Sequence, residues 1–460
     1  MPRDRPDSTR PESTHLHPAD ARAYWMASKI PSDQFVLYCF DARPEGVDTG
    51  AIDAEVARLL GRSARIGVLR GHITDAPLRV DYPRWTDATP STDAVTVHPV
   101  SRTWAECLDA ISNSLADQVD PCVSVWRLHL YPNVTDAPGG SGPTAVAVLQ
   151  ISHAAADGAL ASTTARDLLG THSLSPRYLS RSTWTEPAAT ARAVATLPLR
   201  LALMVRGGLR ARRDALDLDR ATDSGSIPPP ARSWSLTPLD VPPTGRTSLR
   251  TIVLPKAHVR AEGITVTTFV LTAISIALQN FLDTSADLGA EVTLARPKRG
   301  SARNHFGNVG VGLFTSEPDI RTRLLLISED LAARRVRAHH PLAEAARASQ
   351  DDVEVHVPAF LAEWGVAQFD PTVTPPTVIG NTVVSSVSRG AADLTLCGGP
   401  VRFTAGFPAL SPAMSVTHGV HGIGDTVTIG ITSNSAAVPE PDHYEALLRT
   451  ALEQVRVALT

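Results

Sequence analysis

The sequence contains only four cysteines in 460 residues, Cys39, Cys107, Cys122 and Cys397, and none stands in a CxxC or CxxxH spacing. That argues against a disulfide framework and a structural zinc site, and it suits a reducing cytoplasm. Neither sign of charge dominates: the formal net charge is -4 and the pI about 6.4, so a dedicated nucleic-acid-binding surface is not expected. No apolar run approaches the length of a membrane span. The opening MPRDRPDSTRPESTH has no apolar core, so it is not read as a signal peptide, and residues 1–15 are expected to be a disordered tail. Gly310-Val311-Gly312 lacks the Lys and Ser/Thr of a phosphate loop.

What is present is enough apolar material for large cores. Hydrophobic residues make up 43% and charged residues 20%, and the length implies two or three domains. In the first half, strands are expected at Phe35–Phe40, Val123–Leu130 and Thr144–Ile151, and a short helix after Gly158 that Gly170 closes. Residues 171–245 read as a partly helical crossover, with a basic amphipathic stretch from Ala188 to Arg213 that Pro198 and Gly207-Gly208 should weaken. In the second half, strands are expected at Ser248–Leu254, Glu291–Ala295, Val378–Val387, Val401–Thr404 and Thr426–Thr432. The strict alternation of the last predicts one buried and one polar face. A helix starts after Thr265 as N-cap, and a final one after Pro439 and Pro441. The expected division is a tail (1–15), a first domain (16–170), the crossover (171–245) and a second domain (246–460).

One segment carries chemistry: Ser152-His153-Ala154-Ala155-Ala156-Asp157-Gly158. A buried strand runs straight into it, so His153 is held at a rigid strand end where a cleft can form. Gly158 is expected to permit a backbone conformation closed to other residues. Acyl transfer from a thioester needs little more. The acceptor must lose a proton as it attacks, and an imidazole titrating near neutral pH removes it well. The thioester is already activated, so neither a metal nor a covalent intermediate is required, and a hydrogen-bond donor for the oxyanion completes the need.

SHAAADG resembles the HHxxxDG signature of acyltransferases related to chloramphenicol acetyltransferase and to peptide-synthetase condensation domains. Within that group the chain most resembles bacterial wax ester synthases/diacylglycerol acyltransferases. The matching segments are Leu16–Ala21, Trp126–Leu130, Thr265–Leu271, Arg296, Phe306–Gly310 and Val384–Gly390, in the family's order. The resemblance implies an α/β fold of two chloramphenicol-acetyltransferase-like sandwich domains around a central tunnel, with donor and acceptor entering opposite mouths. It places the general base on His153 and a structural role on Asp157, which it pairs with Arg296. Ser152 stands where the family has its first His, a supporting position, and Ser386 and Ser388 replace the family's Asn and first Pro. By analogy with the fold, Ser385 and Ser386 are candidate oxyanion donors.

Three weaker candidates remain. His418 and His421 are too close for helical metal spacing and are read as loop or rim residues. Arg303-Asn304-His305 is read as a solvated loop rather than a phosphate contact. The basic stretch Arg192–Arg213 is read first as a crossover and second as a peripheral contact with anionic membrane. The leading function is therefore transfer of an acyl group from acyl-CoA, or from an acyl carrier protein, to a small alcohol or amine. No bound cofactor, metal or nucleic acid is expected, and the location is cytoplasmic or peripheral to the membrane. The alternatives are a carrier-protein-dependent, condensation-type enzyme of natural-product biosynthesis and a catalytically silent homologue that binds an acyl chain.

Overall fold

The structure, a computed structural model, describes residues 15–176, 186–296 and 302–460; all of the expected tail except His15 lies outside the described residues. The first half runs α1 (Pro18–Met26), β1 (Gln34–Asp41), α2 (Thr49–Ser63), β2 (Gly71–Thr74), β3 (Arg84–Asp87), β4 (Val95–Val97) and β5 (Arg102–Thr103). It continues through α3 (Trp104–Ser114), β6 (Trp126–Thr135), β7 (Thr144–Ile151) and α4 (Gly158–Leu169). A long helix, α5 (Glu186–Asp223), then crosses to β8 (Thr247–Pro255), α6 (Val266–Leu282), β9 (Gly289–Ala295) and β10 (Phe306–Gly312). Three helices follow, α7 (Ile320–His339), α8 (Pro341–His356) and α9 (Ala359–Ala367). The chain ends with β11 (Thr382–Ser388), β12 (Thr395–Leu396), β13 (Gly399–Gly406), β14 (Val416–Ile423), β15 (Thr426–Asn434) and α10 (Pro441–Leu459).

Two mixed sheets organise these elements. The first has the order β12-β13-β1-β7-β6-β4, with β5 on β6, and the second β10-β9-β11-β14-β15-β8. Every residue of β7 is buried, because it lies between β1 and β6 and is covered on both faces. β13 belongs to the second half of the chain yet pairs with β1 of the first sheet, so the two halves share a strand. It crosses closely over β14 and β15: side chains at Gly419 and Gly430 would come within 2.2 and 2.6 Å of the Gly406 carbonyl oxygen. The expected polar face of β15 is present, and that crossing buries it too. Thr428 and Thr432 are fully buried beside it, while Val427, Ile429 and Ile431 face the helical core.

β14 corrects an expectation. His418 and His421 are not rim residues but fully buried strand residues on opposite faces. His418 is hydrogen-bonded at 2.9 Å to the Thr382 hydroxyl and at 2.9 Å to the Tyr444 hydroxyl, which ties β14 to β11 and α10. His421 points toward β13 and Arg389, a guanidinium that is itself buried and donates to the Thr404 hydroxyl at 2.6 Å and the Ala405 carbonyl at 2.9 Å.

α5 is continuous through Pro198 and Gly207-Gly208, contrary to the expected weakening. It packs on α8, where a side chain at Gly207 would meet Val353 at 3.2 Å, so the glycine serves close helix packing. Glu186–Arg84 and Arg200–Asp81, both at 3.1 Å, fasten the same helix to the first half. An 18-residue window of α5 has a mean hydropathy of 1.4, long and apolar enough to cross a membrane. The arginines that punctuate it hid this in the sequence.

The buried imidazoles generate a pH dependence. Burial lowers the pKa of His418 to about 3, and burial followed by the Arg389 charge takes His421 well below the usual value. Both rings therefore stay neutral in the folded protein while the unfolded chain takes up protons near pH 6.5. The unfolded state binds more protons below that pH, so stability is complete above it and falls as the pH drops, by about 1.4 kcal/mol per unit for each such histidine. Urea unfolding between pH 6.5 and 4.5 should show this slope, and His418→Gln should reduce it by about one histidine's share. An unchanged slope in the variant would contradict the assignment.

Candidate active site

His153 stands two residues beyond β7, in a turn that Ser152 builds. Ser152 is 1% exposed; its amide donates to the Val125 carbonyl at 2.8 Å, and its carbonyl accepts from Ala155 and Ala156. Its hydroxyl accepts from the Ala154 amide at 3.3 Å. The serine is thus occupied in shaping the turn, a task that needs no imidazole.

The ring of His153 is half-buried and lies 5.6 Å, centroid to centroid, from that of Phe306, the first residue of β10. Nδ1 is buried and has no hydrogen-bond partner among the described residues, so none of their carboxylates orients the ring. Nε2 is neither buried nor hydrogen-bonded among the described residues, which makes it the nitrogen open to a substrate. What fixes the residue is its backbone: the His153 carbonyl accepts from Asn304 Nδ2 at 2.7 Å.

Asn304 belongs to a turn from the second half that two acidic residues of the first half grip. Asp20, on α1 and wholly buried, accepts from the amides of Arg303 (3.0 Å) and Asn304 (2.9 Å) and from Asn304 Nδ2 (3.0 Å). Burial pushes its carboxyl above the usual range, and these donors pull it back. Asp157 is the N-cap of α4: one carboxylate oxygen accepts from the Leu160 amide at 2.8 Å, the other from the His305 amide at 3.0 Å. The Arg303 guanidinium stacks over Trp85 at 3.8 Å. Residues 303–305 are therefore not a solvated loop but a half-buried bolt between the halves.

The expected Asp157–Arg296 pair does not form. Asp157 bonds the amides of Leu160 and His305, the charges acting on Arg296 are those of Arg347, Asp351 and Glu354, and the Arg296 guanidinium packs over Gly307, where a side chain would come 2.7 Å from its Nε. Burial, then the neighbouring Arg347, lowers the Arg296 pKa, and Asp351 and Glu354 act in the opposite sense. The backbone of the turn reaches Asp157 first, so amides fill the place expected of a guanidinium. Gly158 also departs from expectation. Its φ is not in the left-handed region, and a side chain there would meet nothing closer than Gln34 at 3.9 Å. It leaves open space beside the site.

Ser385 and Ser386 point to opposite faces of β11. Ser385 accepts from the Thr293 hydroxyl at 3.3 Å. Thr293 pairs with Asn308, and Ala295 with Phe306, so Ser385 shares the sheet face that Phe306 presents to His153. Ser386 accepts from the Thr267 hydroxyl of α6 at 3.0 Å, on the helix-covered face. Of the two, Ser385 is the one on the sheet face that carries Phe306. Sequence reasoning missed Asp20 and assigned Asn304 to solvent. The one local sign was the placement of Asp20 in the first turn of a helix opened by Pro18.

Residues 303–456 match the family model of the WS/DGAT C-terminal domain, which bears out the resemblance read from the sequence. The chain is similar in structure to a wax ester synthase/diacylglycerol acyltransferase from Marinobacter aquaeolei VT8, with 17% identity, a TM-score of 0.61, and coverage of 97% of this chain and 100% of that one. A starter condensation domain of rhizomide synthetase, in complex with C8-CoA and Leu-SNAC, aligns at 12% identity and a TM-score of 0.54, over 97% of this chain and 94% of that one. The first condensation domain of the calcium-dependent antibiotic synthetase, bound to a substrate analogue, aligns at 12% identity and a TM-score of 0.54, over 98% and 97%. These likenesses bear out the expected chloramphenicol-acetyltransferase-like fold. No curated protein sequence matches the chain.

If Asp157 is a cap and a backbone clamp, Asp157→Ala should destabilise the protein by about 1–2 kcal/mol, the usual worth of an N-cap. Arg296→Ala should add to it independently, since the two share no bond. A chemical-denaturation double-mutant cycle measures this, and a coupling energy above about 1 kcal/mol would restore the ion pair.

Proposed function

We propose that the chain is an acyltransferase that moves an acyl group from a CoA thioester to a hydroxyl or amine, with His153 as general base. The observation that carries this reading is the open Nε2 of a histidine whose backbone is pinned from both halves of the molecule. Nε2 removes the acceptor proton as the acceptor oxygen or nitrogen bonds to the thioester carbonyl carbon. The resulting oxyanion accepts a hydrogen bond from Ser385. Collapse breaks the carbon–sulfur bond, and the departing thiolate recovers the proton from the imidazolium, so the base returns to its starting state. The complex of a similarly folded condensation domain with C8-CoA supports acyl-CoA as the donor. The same likeness favours, as a second reading, a donor or acceptor presented on a carrier protein. Wax esters and acylglycerols are the product classes that the family match suggests.

His153→Ala should lower turnover about a hundred- to ten-thousand-fold with little change in stability. Mass spectrometry of the protein incubated with mixed acyl-CoAs and a panel of alcohols and amines identifies the product, and quantitation in the variant tests the base. Wild-type turnover in His153→Ala would remove His153 from that role.

The location proposed is cytoplasmic and peripheral to a membrane, through α5. Val194, Leu201, Val205, Leu209 and Leu216 form an exposed apolar stripe at helical spacing, with Val205 61% exposed. Arg206 and Arg213 flank it, a composition that suits an anionic lipid surface. The protein should sediment with phosphatidylglycerol vesicles at low salt, and the double variant Val205→Asp/Leu209→Asp should not. A wild-type protein that stays in the supernatant would leave α5 as a crossover alone.

A further inference from the structure

Buried polar atoms without a hydrogen-bond partner among the described residues gather where β13 crosses β14 and β15. They are Arg389 Nε, His421 Nδ1 and the hydroxyls of Tyr38 and Thr428. The four residues come from both halves: Tyr38 lies on β1, Arg389 directly follows β11, and His421 and Thr428 are register partners on β14 and β15. The Arg389 guanidinium stands 5.5 Å from the centre of the Tyr38 ring. A side chain at Gly406 would come 2.7 Å from both Arg389 Nη2 and His421 Cε1, so these two side chains meet over that glycine.

The charge of Arg389 has no counter-ion among the described residues. Its Nη1 donates to the Thr404 hydroxyl at 2.6 Å and the Ala405 carbonyl at 2.9 Å, both neutral. Asp393, the next acid along the chain, is taken by Arg166, and Tyr38 is the group whose charge bears on the guanidinium. Arg389 is 3% exposed and His421 5%, so bulk water does not compensate the charge. A buried cation left unpaired is strongly destabilising. The face of the Tyr38 ring offsets part of that cost but leaves Nε and the phenol hydroxyl unbonded. Each open group can donate: Nε, the two hydroxyls, and a neutral His421 in the tautomer with its proton on Nδ1. Convergent donors beside one uncompensated positive charge are the setting for an anion.

We propose that this cluster binds one small monovalent anion of the size of chloride, held by Arg389 Nε, His421 Nδ1 and the hydroxyls of Tyr38 and Thr428. The single uncompensated charge sets the valence, and the crowding over Gly406 sets the size. The ion links β1 of the first sheet to β14 and β15 of the second, so binding it stabilises the closed junction of the two halves. This holds whether or not the chain transfers acyl groups.

The test is thermal unfolding of the full chain at constant ionic strength while sodium chloride replaces sodium gluconate. The melting temperature should rise with chloride along a one-site curve, because an ion that binds only the folded state stabilises it by mass action. Sodium bromide should reproduce the rise. Tyr38→Phe and Thr428→Val each remove one donor and keep the guanidinium, and each should raise the half-saturating chloride concentration about three- to tenfold. Arg389→Met should abolish the response; if that variant does not fold, the two milder ones decide. Anomalous scattering from crystals grown in bromide reads the site directly, as a peak among the four groups. A melting temperature that follows ionic strength alone, or a chloride response equal in wild type and variants, would overturn the proposal. So would a water molecule in place of bromide at this position.

Discussion

The structure depends on one grip: two buried carboxylates of the first half, Asp20 and Asp157, closing on the backbone amides of residues 303–305 of the second. Backbone amides are the donors available to a turn whatever its side chains, and a carboxylate accepting two or three of them is satisfied without a cation. Asp157 simultaneously caps α4, so the same group that sets the start of that helix also sets where the second half sits against it. Asn304 then passes this positioning to the His153 carbonyl. The candidate base is thus aimed through its main chain, and its ring packs on Phe306 without a hydrogen bond among the described residues.

Other buried polar groups reinforce the same junction. Arg389 reaches from the end of β11 into the seam of β1 and β13 and bonds the Thr404 hydroxyl and the Ala405 carbonyl. β13 is itself a strand of the second half inserted in the first sheet, and the glycines at 419 and 430 make room for its crossing. α5 spans both halves on the outside, tied by Arg200 to Asp81 and packed on α8. The junction of the two halves keeps its geometry only if their relative placement is fixed, and here hydrogen bonds, a shared strand and a long helix fix it together.

Much of this was legible locally. Apolar runs such as Thr144–Ile151 and the helical spacing after Thr265 report burial within a few residues, and the elements formed where those patterns stand. Asp157 directly before a helical segment carries the signature of an N-cap, which its reading as an ion-pair partner passed over. What patterns of this kind do not report is which distant surface covers an element. β15 alternates as though half-exposed, yet β13 covers its threonines. The grip of Asp20 on residues 283 and 284 positions away along the chain is likewise tertiary. The placement of Ser385 and Ser386 on opposite faces followed only from the register of β11 with its neighbours.

The central claim is that residues 303–305 act by positioning His153, and the most direct measurement is a single-turnover acyl-transfer cycle on His153→Ala, Asn304→Ala and the double variant. Groups that act as one unit are strongly non-additive. Asn304→Ala should slow the reaction when His153 is present and change nothing further once His153 is gone. Full additivity of the two losses would show that Asn304 acts independently of the histidine, and would contradict the account.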